Sequence, residues 1–232
     1  MVQQEPRILR HPLASRIFHW SLILGFLPAA LSGFVIWWKP EGEDFVNLAM
    51  RIHIIGATIF TVASILFTIL ATDRVVAFIR HISEWTMHDV RWLMVGGGYM
   101  HKIVFKKEIP VPPMDKMNSG QKSMGALMLH GGIFLMVSGW LLYAFLPITP
   151  REIAYWLGLG HEWIGLLLGV STLAHIGLGI YNQAEFKSMF GDGTIPLAVA
   201  EKHSPLWVER HVEPLVSDDA PQEQALQEQS LG

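Results

Sequence analysis

Long apolar runs alternate with shorter polar ones along this chain. Residues 17–38 (IFHWSLILGFLPAALSGFVIWW), about 51–71 (RIHIIGATIFTVASILFTILA), about 122–146 and about 157–181 are each mostly apolar. Crossing a ~30 Å hydrocarbon core takes ~20 such residues in a helix, so the pattern predicts four transmembrane helices. Pro28 predicts a kink or a loosened turn in the first, and Pro147 and Pro150 close the third. A basic start followed by one apolar run also describes a signal peptide. Here the run exceeds a usual h-region and three more apolar segments follow.

The polar stretches divide the rest. Residues 1–16 form an N-terminal segment with Arg7, Arg10 and Arg16, and 39–50 a short loop with Glu41, Glu43 and Asp44. A connection at 73–121 contains SEWTMHDVRWLMV, which mixes Trp and Met with charges. It reads either as an amphipathic helix in the membrane interface or as a surface helix. EIPVPPMDKMNSG is extended or turning. Residues 183–232 form a polar tail, and PQEQALQEQSLG at its end has the composition of disorder. The domain organisation is thus 1–16, a membrane domain 17–182, and 183–232.

Basic residues orient the bundle. Fourteen Lys and Arg fall in the N-terminal segment, the long connection (counted to Lys122) and the tail, against three (Lys39, Arg51, Arg151) in the two other loops. By the positive-inside rule both termini and the long connection are cytoplasmic. The fold class expected is all-α integral membrane, a four-helix bundle in a bacterial inner membrane.

Composition sharpens this. The 232 residues are 51% hydrophobic and 16% charged, too apolar for an ordinary soluble domain. There is no cysteine, which removes disulfides, thiolate catalysis, cysteine-held iron–sulfur clusters and covalent heme attachment through C-x-x-C-H. A metal centre must use His, Met or carboxylates, and the chain has 11 histidines.

Four of these lie in the spans at matching depths. His161 and His175 are fourteen residues apart, so they share one helix face about 21 Å apart along the axis. His53 lies near the outer end of span two, at the depth of His161. His19 lies near the cytoplasmic end of span one, at the depth of His175. An intramembrane histidine is costly without a partner. It can be merely hydrogen-bonded across helices, but two imidazole pairs, each joining two helices, suit the axial ligands of two b-type hemes. His130, in span three, remains a rival to His19, or packs near the inner heme or bonds a neighbouring helix. Gly165 and Gly169 follow His161 at i+4 and i+8, and Gly131 and Gly132 lie deep in span three. They either admit a porphyrin face or pack helices together.

The sequence resembles the cytochrome b (gamma) subunit of membrane-bound, formate dehydrogenase-N-like enzymes. The likeness rests on FHW in span one, ALSG at 30–33, His53, NSGQK at 118–122, the His161/His175 spacing and HSPLW at 203–207. It implies that His53 and His161 bind the outer heme b, and His19 and His175 the inner heme b. Electrons would come from an iron–sulfur (beta) subunit served by a molybdenum or tungsten catalytic (alpha) subunit outside. They would leave to a quinone, menaquinone or ubiquinone, near the cytoplasmic face. Asn118 and Gln121 would contact the quinone. Their amides offer donors and acceptors for a carbonyl, though the same pair also reads as a helix capping box. Trp37, Trp38, Glu41, Glu43 and Asp44 would face the partner subunit, or the tryptophans simply form an interfacial belt. The chain itself would hold no formate-oxidising site. Alternatives are the same cytochrome serving a nickel–iron hydrogenase or a thiosulfate or polysulfide reductase, or an unrelated transporter or ion channel using intramembrane histidines.

Overall fold

In a computed structural model, residues 5–38 and 42–211 are described. The expectations for Lys39, Glu41 and the 221–232 stretch fall outside them. The chain forms β1 (Arg7–Leu9), α1 (Leu13–Trp38), α2 (Glu43–Leu70), α3 (Thr72–Ser83) and α4 (Met87–Met94). A 3-10 turn at Gly96–Gly98 leads into α5 (Tyr99–Val104), and α6 (Ser119–Ala144) follows. A second 3-10 turn at Leu146–Ile148 precedes α7 (Arg151–Tyr181), α8 (Gln183–Phe190), β2 (Thr194–Pro196), α9 (Leu197–His203) and α10 (Pro205–His211).

Among the described residues, α1, α2, α6 and α7 are long and apolar enough to cross a membrane, with 26, 28, 26 and 31 residues. At 1.5 Å per residue they are about 39–46 Å long, so their ends extend past a ~30 Å core. Leu24, Leu70 and Leu173 are more than half exposed on these helices, as lipid-facing residues are. All four begin earlier than their apolar runs, two of them by well over a turn. α2 starts at Glu43 rather than 51, and α7 at Arg151 rather than 157. Glu43, Asp44 and Glu152 occupy first turns, where acidic side chains complement the helix dipole. α1 continues as helix through Pro28.

The polar tail expected from 183 onward carries structure of its own in its described part. Residues 183–211 fold into three short helices and a strand, and β2 pairs with β1 in a two-stranded sheet, a small addition to an otherwise helical chain.

The chain divides into two compact units. The larger, Leu9–Ile79 with Met124–Thr194, holds α1, α2, α7, α8 and most of α6. Its closest helix-to-helix backbone approach is between α1 and α2. A Cβ on Gly25 would lie 2.5 Å from the Phe60 amide nitrogen, and one on Gly56 would lie 2.7 Å from the Gly25 carbonyl oxygen. Only glycine permits this approach of two backbones. Phe18 stacks on Phe67 with ring centres 3.9 Å apart beside it. Trp140 of α6 donates to Thr61 of α2 at 3.0 Å.

The N-terminal segment and the chain after α7 meet within this unit. The amides of Arg10 and His11 both donate to the Gly193 carbonyl at 2.9 Å. Glu185 takes Arg10 Nε at 3.1 Å and His11 Nε2 at 3.2 Å. Burial alone would push the Glu185 carboxyl up. The His11 hydrogen bond and the Arg10 charge outweigh it and hold that carboxyl below its ordinary value. Trp20 Nε1 donates to the Met189 carbonyl at 3.0 Å.

The smaller unit comprises residues 1–8, Arg80–Ser123 and the chain from Ile195. Its apolar centre is Ile195, Ala200, Trp207 and Val208, with Ile8 and Leu197 against it. HSPLW supplies Trp207, and the amide of its Leu206 donates to Met114. NSGQK is a structural knot here. Asn118 and Gln121 cap α6 reciprocally, each side-chain oxygen accepting the other's backbone N–H at 2.9 Å. Ser119 donates to Asp89 Oδ1 at 3.0 Å. A Cβ on Gly120 would press on the Trp92 ring at 3.0 Å. Lys122 meets Asp89 at 2.8 Å and the Glu84 carbonyl at 2.6 Å. Asp89 is 1% exposed. Burial pushes its carboxyl up, but the bonds from Lys122, Thr86 and Ser119 prevail and hold it below 3.8.

Two outcomes follow from these contacts. Gly56→Ala must separate α1 from α2, costing about 1–3 kcal/mol as overpacking does, read as a lower unfolding temperature of the purified protein. Lys122→Met strands the buried Asp89 charge and destabilises the smaller unit by about 3–5 kcal/mol, read as faster proteolysis of the 106–117 segment. Because the folded Asp89 carboxyl is depressed below 3.8, the parent's advantage over the mutant is full above that pH and fades as acid reaches the lowered value.

Candidate functional site

The larger unit brings the four histidines together in two pairs, each across two helices. His53 of α2 faces His161 of α7 with ring centres 6.1 Å apart. His19 of α1 faces His175 of α7 at 6.2 Å. These separations exceed ring contact. They match two imidazoles on opposite sides of one metal atom, with roughly 2 Å from metal to nitrogen and about another ångström to each ring centre. The spacing of His161 and His175 on one helix face sets the two pairs along α7 at different depths.

Hydrogen bonds settle the tautomers of the outer pair. His53 Nδ1 lies 2.8 Å from the Ala29 carbonyl of α1, which can only accept. His161 Nδ1 lies 2.9 Å from Ser138 Oγ of α6, and that hydroxyl gives its proton to the Phe134 carbonyl at 2.6 Å. Both Nδ1 atoms therefore carry hydrogen, and Nε2 of each ring is the lone-pair nitrogen, as metal-ligating histidines require. In the other pair, His19 Nδ1 is buried with no hydrogen-bond partner.

Small residues clear the space around the rings. A Cβ on Gly33 would lie 3.1 Å from His53 Cε1, and one on Gly139 would lie 3.0 Å from His161 Cε1. Gly165 and Gly169, on the His161 side of α7, have little packed against them. A Cβ on Gly169 would meet nothing within 4 Å, and one on Gly165 only Leu135 at 3.9 Å. Gly131 and Gly132 instead receive Leu168 and Phe60, at 3.0 and 3.3 Å.

His130 joins neither pair. It is exposed, and its Nδ1 bonds the Ala126 carbonyl of its own helix at 2.8 Å, not a neighbouring helix. Asn118 and Gln121 belong to the smaller unit, where the α6 cap consumes both side-chain oxygens and leaves the two NH2 groups as donors.

Ser32, Ser138, Gly33 and Gly139 do not stand out by hydrophobic pattern. Their signal is a repeated tetrapeptide, apolar–Ser–Gly–aromatic: LSGF at 31–34 and VSGW at 137–140. In each, the serine stands near an outer histidine's Nδ1 and the glycine makes room for its ring.

Among the described residues no group of three or more His, Cys, Asp or Glu could hold a bare metal ion. Paired imidazoles supply two donors, so a metal held there takes its remaining ligands from outside these side chains. The lone-pair Nε2 atoms, the ring spacing and the open glycine face of α7 fit heme b.

Comparison with known proteins agrees with this chemistry. Over 208 residues the chain is 24% identical to the cytochrome b556(Fdn) subunit of the nitrate-inducible formate dehydrogenase of Escherichia coli K12, covering 86% of this chain and 89% of that protein. It is also 24% identical to the formate dehydrogenase cytochrome b556 subunit of Haemophilus influenzae, over 97% of this chain and 92% of that one. The model of the prokaryotic cytochrome b561 family matches residues 10–192, which take in all four long apolar helices and all four paired histidines, and the chain belongs to that family.

Proposed function

We propose that this chain is the diheme cytochrome b subunit of a membrane-bound formate dehydrogenase, with His53 and His161 ligating an outer heme and His19 and His175 an inner one. The observation that carries the reading is the pair of cross-helix imidazole gaps, 6.1 and 6.2 Å, sharing one helix. Heme held between such imidazole pairs would supply one-electron transfer rather than oxygen chemistry. The partners are an iron–sulfur subunit and a molybdenum or tungsten catalytic subunit, for which the names of the two relatives are the support. Both termini and the 73–121 connection are cytoplasmic, on the count of basic residues. The meeting of residues 10–20 with 185–193 supports one side for the start and end of the bundle.

Quinone is the electron acceptor in this reading, and Asn118 and Gln121 meet its carbonyl. The cap leaves them a specific role. Their oxygens are engaged, so each offers a carbonyl oxygen its amide NH2. Proton uptake on the cytoplasmic side, with formate oxidised outside, couples the electron path to membrane potential.

A dithionite-reduced absorption spectrum of the purified chain gives two b hemes. None would sink the reading. His53→Ala or His161→Ala leaves one heme and stops quinone reduction by the complex, whereas His130→Ala leaves both. Asn118→Asp keeps an N-cap acceptor but loses the NH2. It weakens binding of a quinone analogue by about 5–10-fold, the worth of one hydrogen bond, without loss of thermal stability. Asn118→Ala weakens binding similarly and also costs ~1 kcal/mol of stability as a lost cap.

A further inference from the structure

We propose that Ser138 is a positioning residue for His161: its buried hydroxyl, anchored on the Phe134 carbonyl, accepts the His161 Nδ1–H and fixes the tautomer and ring orientation of the outer ligand. This rests on the diheme reading above and goes beyond it. A hydroxyl carries one proton. Here the hydroxyl donates it in a hydrogen bond to the Phe134 carbonyl at 2.6 Å, so toward His161, at 2.9 Å, the oxygen can only accept. Ser138 is 1% exposed, which keeps water from competing for either bond. Gly139 completes the device, since a Cβ there would crowd Cε1 of the same ring.

Ser32 provides an internal contrast. It sits in the same apolar–Ser–Gly–aromatic pattern and makes the same kind of backbone bond four residues back, to the Pro28 carbonyl at 2.6 Å. Yet it stands 3.5 Å from His53 Nδ1, whose hydrogen already goes to Ala29 at 2.8 Å. Ser138 is an acceptor for its histidine and Ser32 is a bystander.

The consequence is electronic as well as steric. A ligating imidazole that donates its second N–H becomes a stronger donor to the metal and favours the oxidised state. Both outer imidazoles donate in this way. The shell around the outer pair therefore biases that site toward a lower reduction potential.

The test is a redox titration of the full chain in its native membrane or purified complex, with the outer heme identified as the one lost in His161→Ala. Ser138→Ala retains two hemes. Its outer heme shifts to higher potential, and a tenfold loss of oxidised-state preference reads as about 59 mV. Outer-heme dissociation becomes about 10–100-fold easier, the usual effect of removing such a partner. Ser138→Thr, which restores the hydroxyl, returns the potential toward the parent value, and Ser32→Ala leaves both potentials in place. Should Ser138→Ala not accumulate, Ser138→Cys, with its weak acceptor sulfur, is titrated in its place and shifts the outer heme in the same direction. Unmoved potentials in the Ser138 variant, or an equal shift in Ser32→Ala, overturn the proposal. A parent chain without heme overturns the diheme reading instead, so the two failures are distinguishable.

Discussion

An imidazole in an apolar interior must find a partner for each ring nitrogen or bear the cost of an orphaned polar group. That requirement organises the helix bundle. It draws α6 into an arrangement whose histidines sit on other helices, because Ser138 meets the Nδ1 of His161. It gives a purpose to a backbone carbonyl in the middle of α1, since the Ala29 oxygen is reached by His53 of α2. That reach depends on the glycine contact of Gly25 with Gly56, which brings α1 and α2 backbone to backbone. Small residues and histidines thus form one system. The glycines set helix separation, the separation sets which acceptor each Nδ1 meets, and the acceptor decides which nitrogen remains for a metal.

The smaller unit meets the same demand with charge. Asp89 and Lys122 are both buried, and every oxygen of the carboxylate is engaged by Lys122, Ser119 or Thr86. Neutral pairs in the bundle and a saturated ion pair outside it are two answers to burial in different surroundings. The motif NSGQK is mostly consumed by this structural task. Only the two amide NH2 groups remain uncommitted, which narrows what the motif can offer a ligand.

The four spans are legible because each is a run of apolar side chains long enough to cross a bilayer. Their starts are less so. EDFVNLAM extends α2 by two turns, but its acidic residues, favourable at a helix N-terminus, interrupt the apolar signal. The pairing of four histidines by depth follows from helical rise and corresponds to the rings that face each other. The two serines are hidden because a serine in a span has a default use, bonding the carbonyl four residues back, and Ser32 and Ser138 both do this. Only the three-dimensional position of His161 separates them. The folded segment 183–211 escapes pattern reading because its helices are too short for periodicity. Its core of Ile195, Ala200, Trp207 and Val208 is completed by Ile8, from the opposite end of the chain.

Both histidine pairs include α7, the last of the four long helices to leave the ribosome. His19 and His53 are synthesised without counterparts and stay so until Arg151–Tyr181 has been inserted. A chain that stalls before α7 therefore has no complete histidine pair at either depth. The segment that follows α7 then reaches back to Arg10 and His11, so residues made before α1 find these partners only after α7 is made.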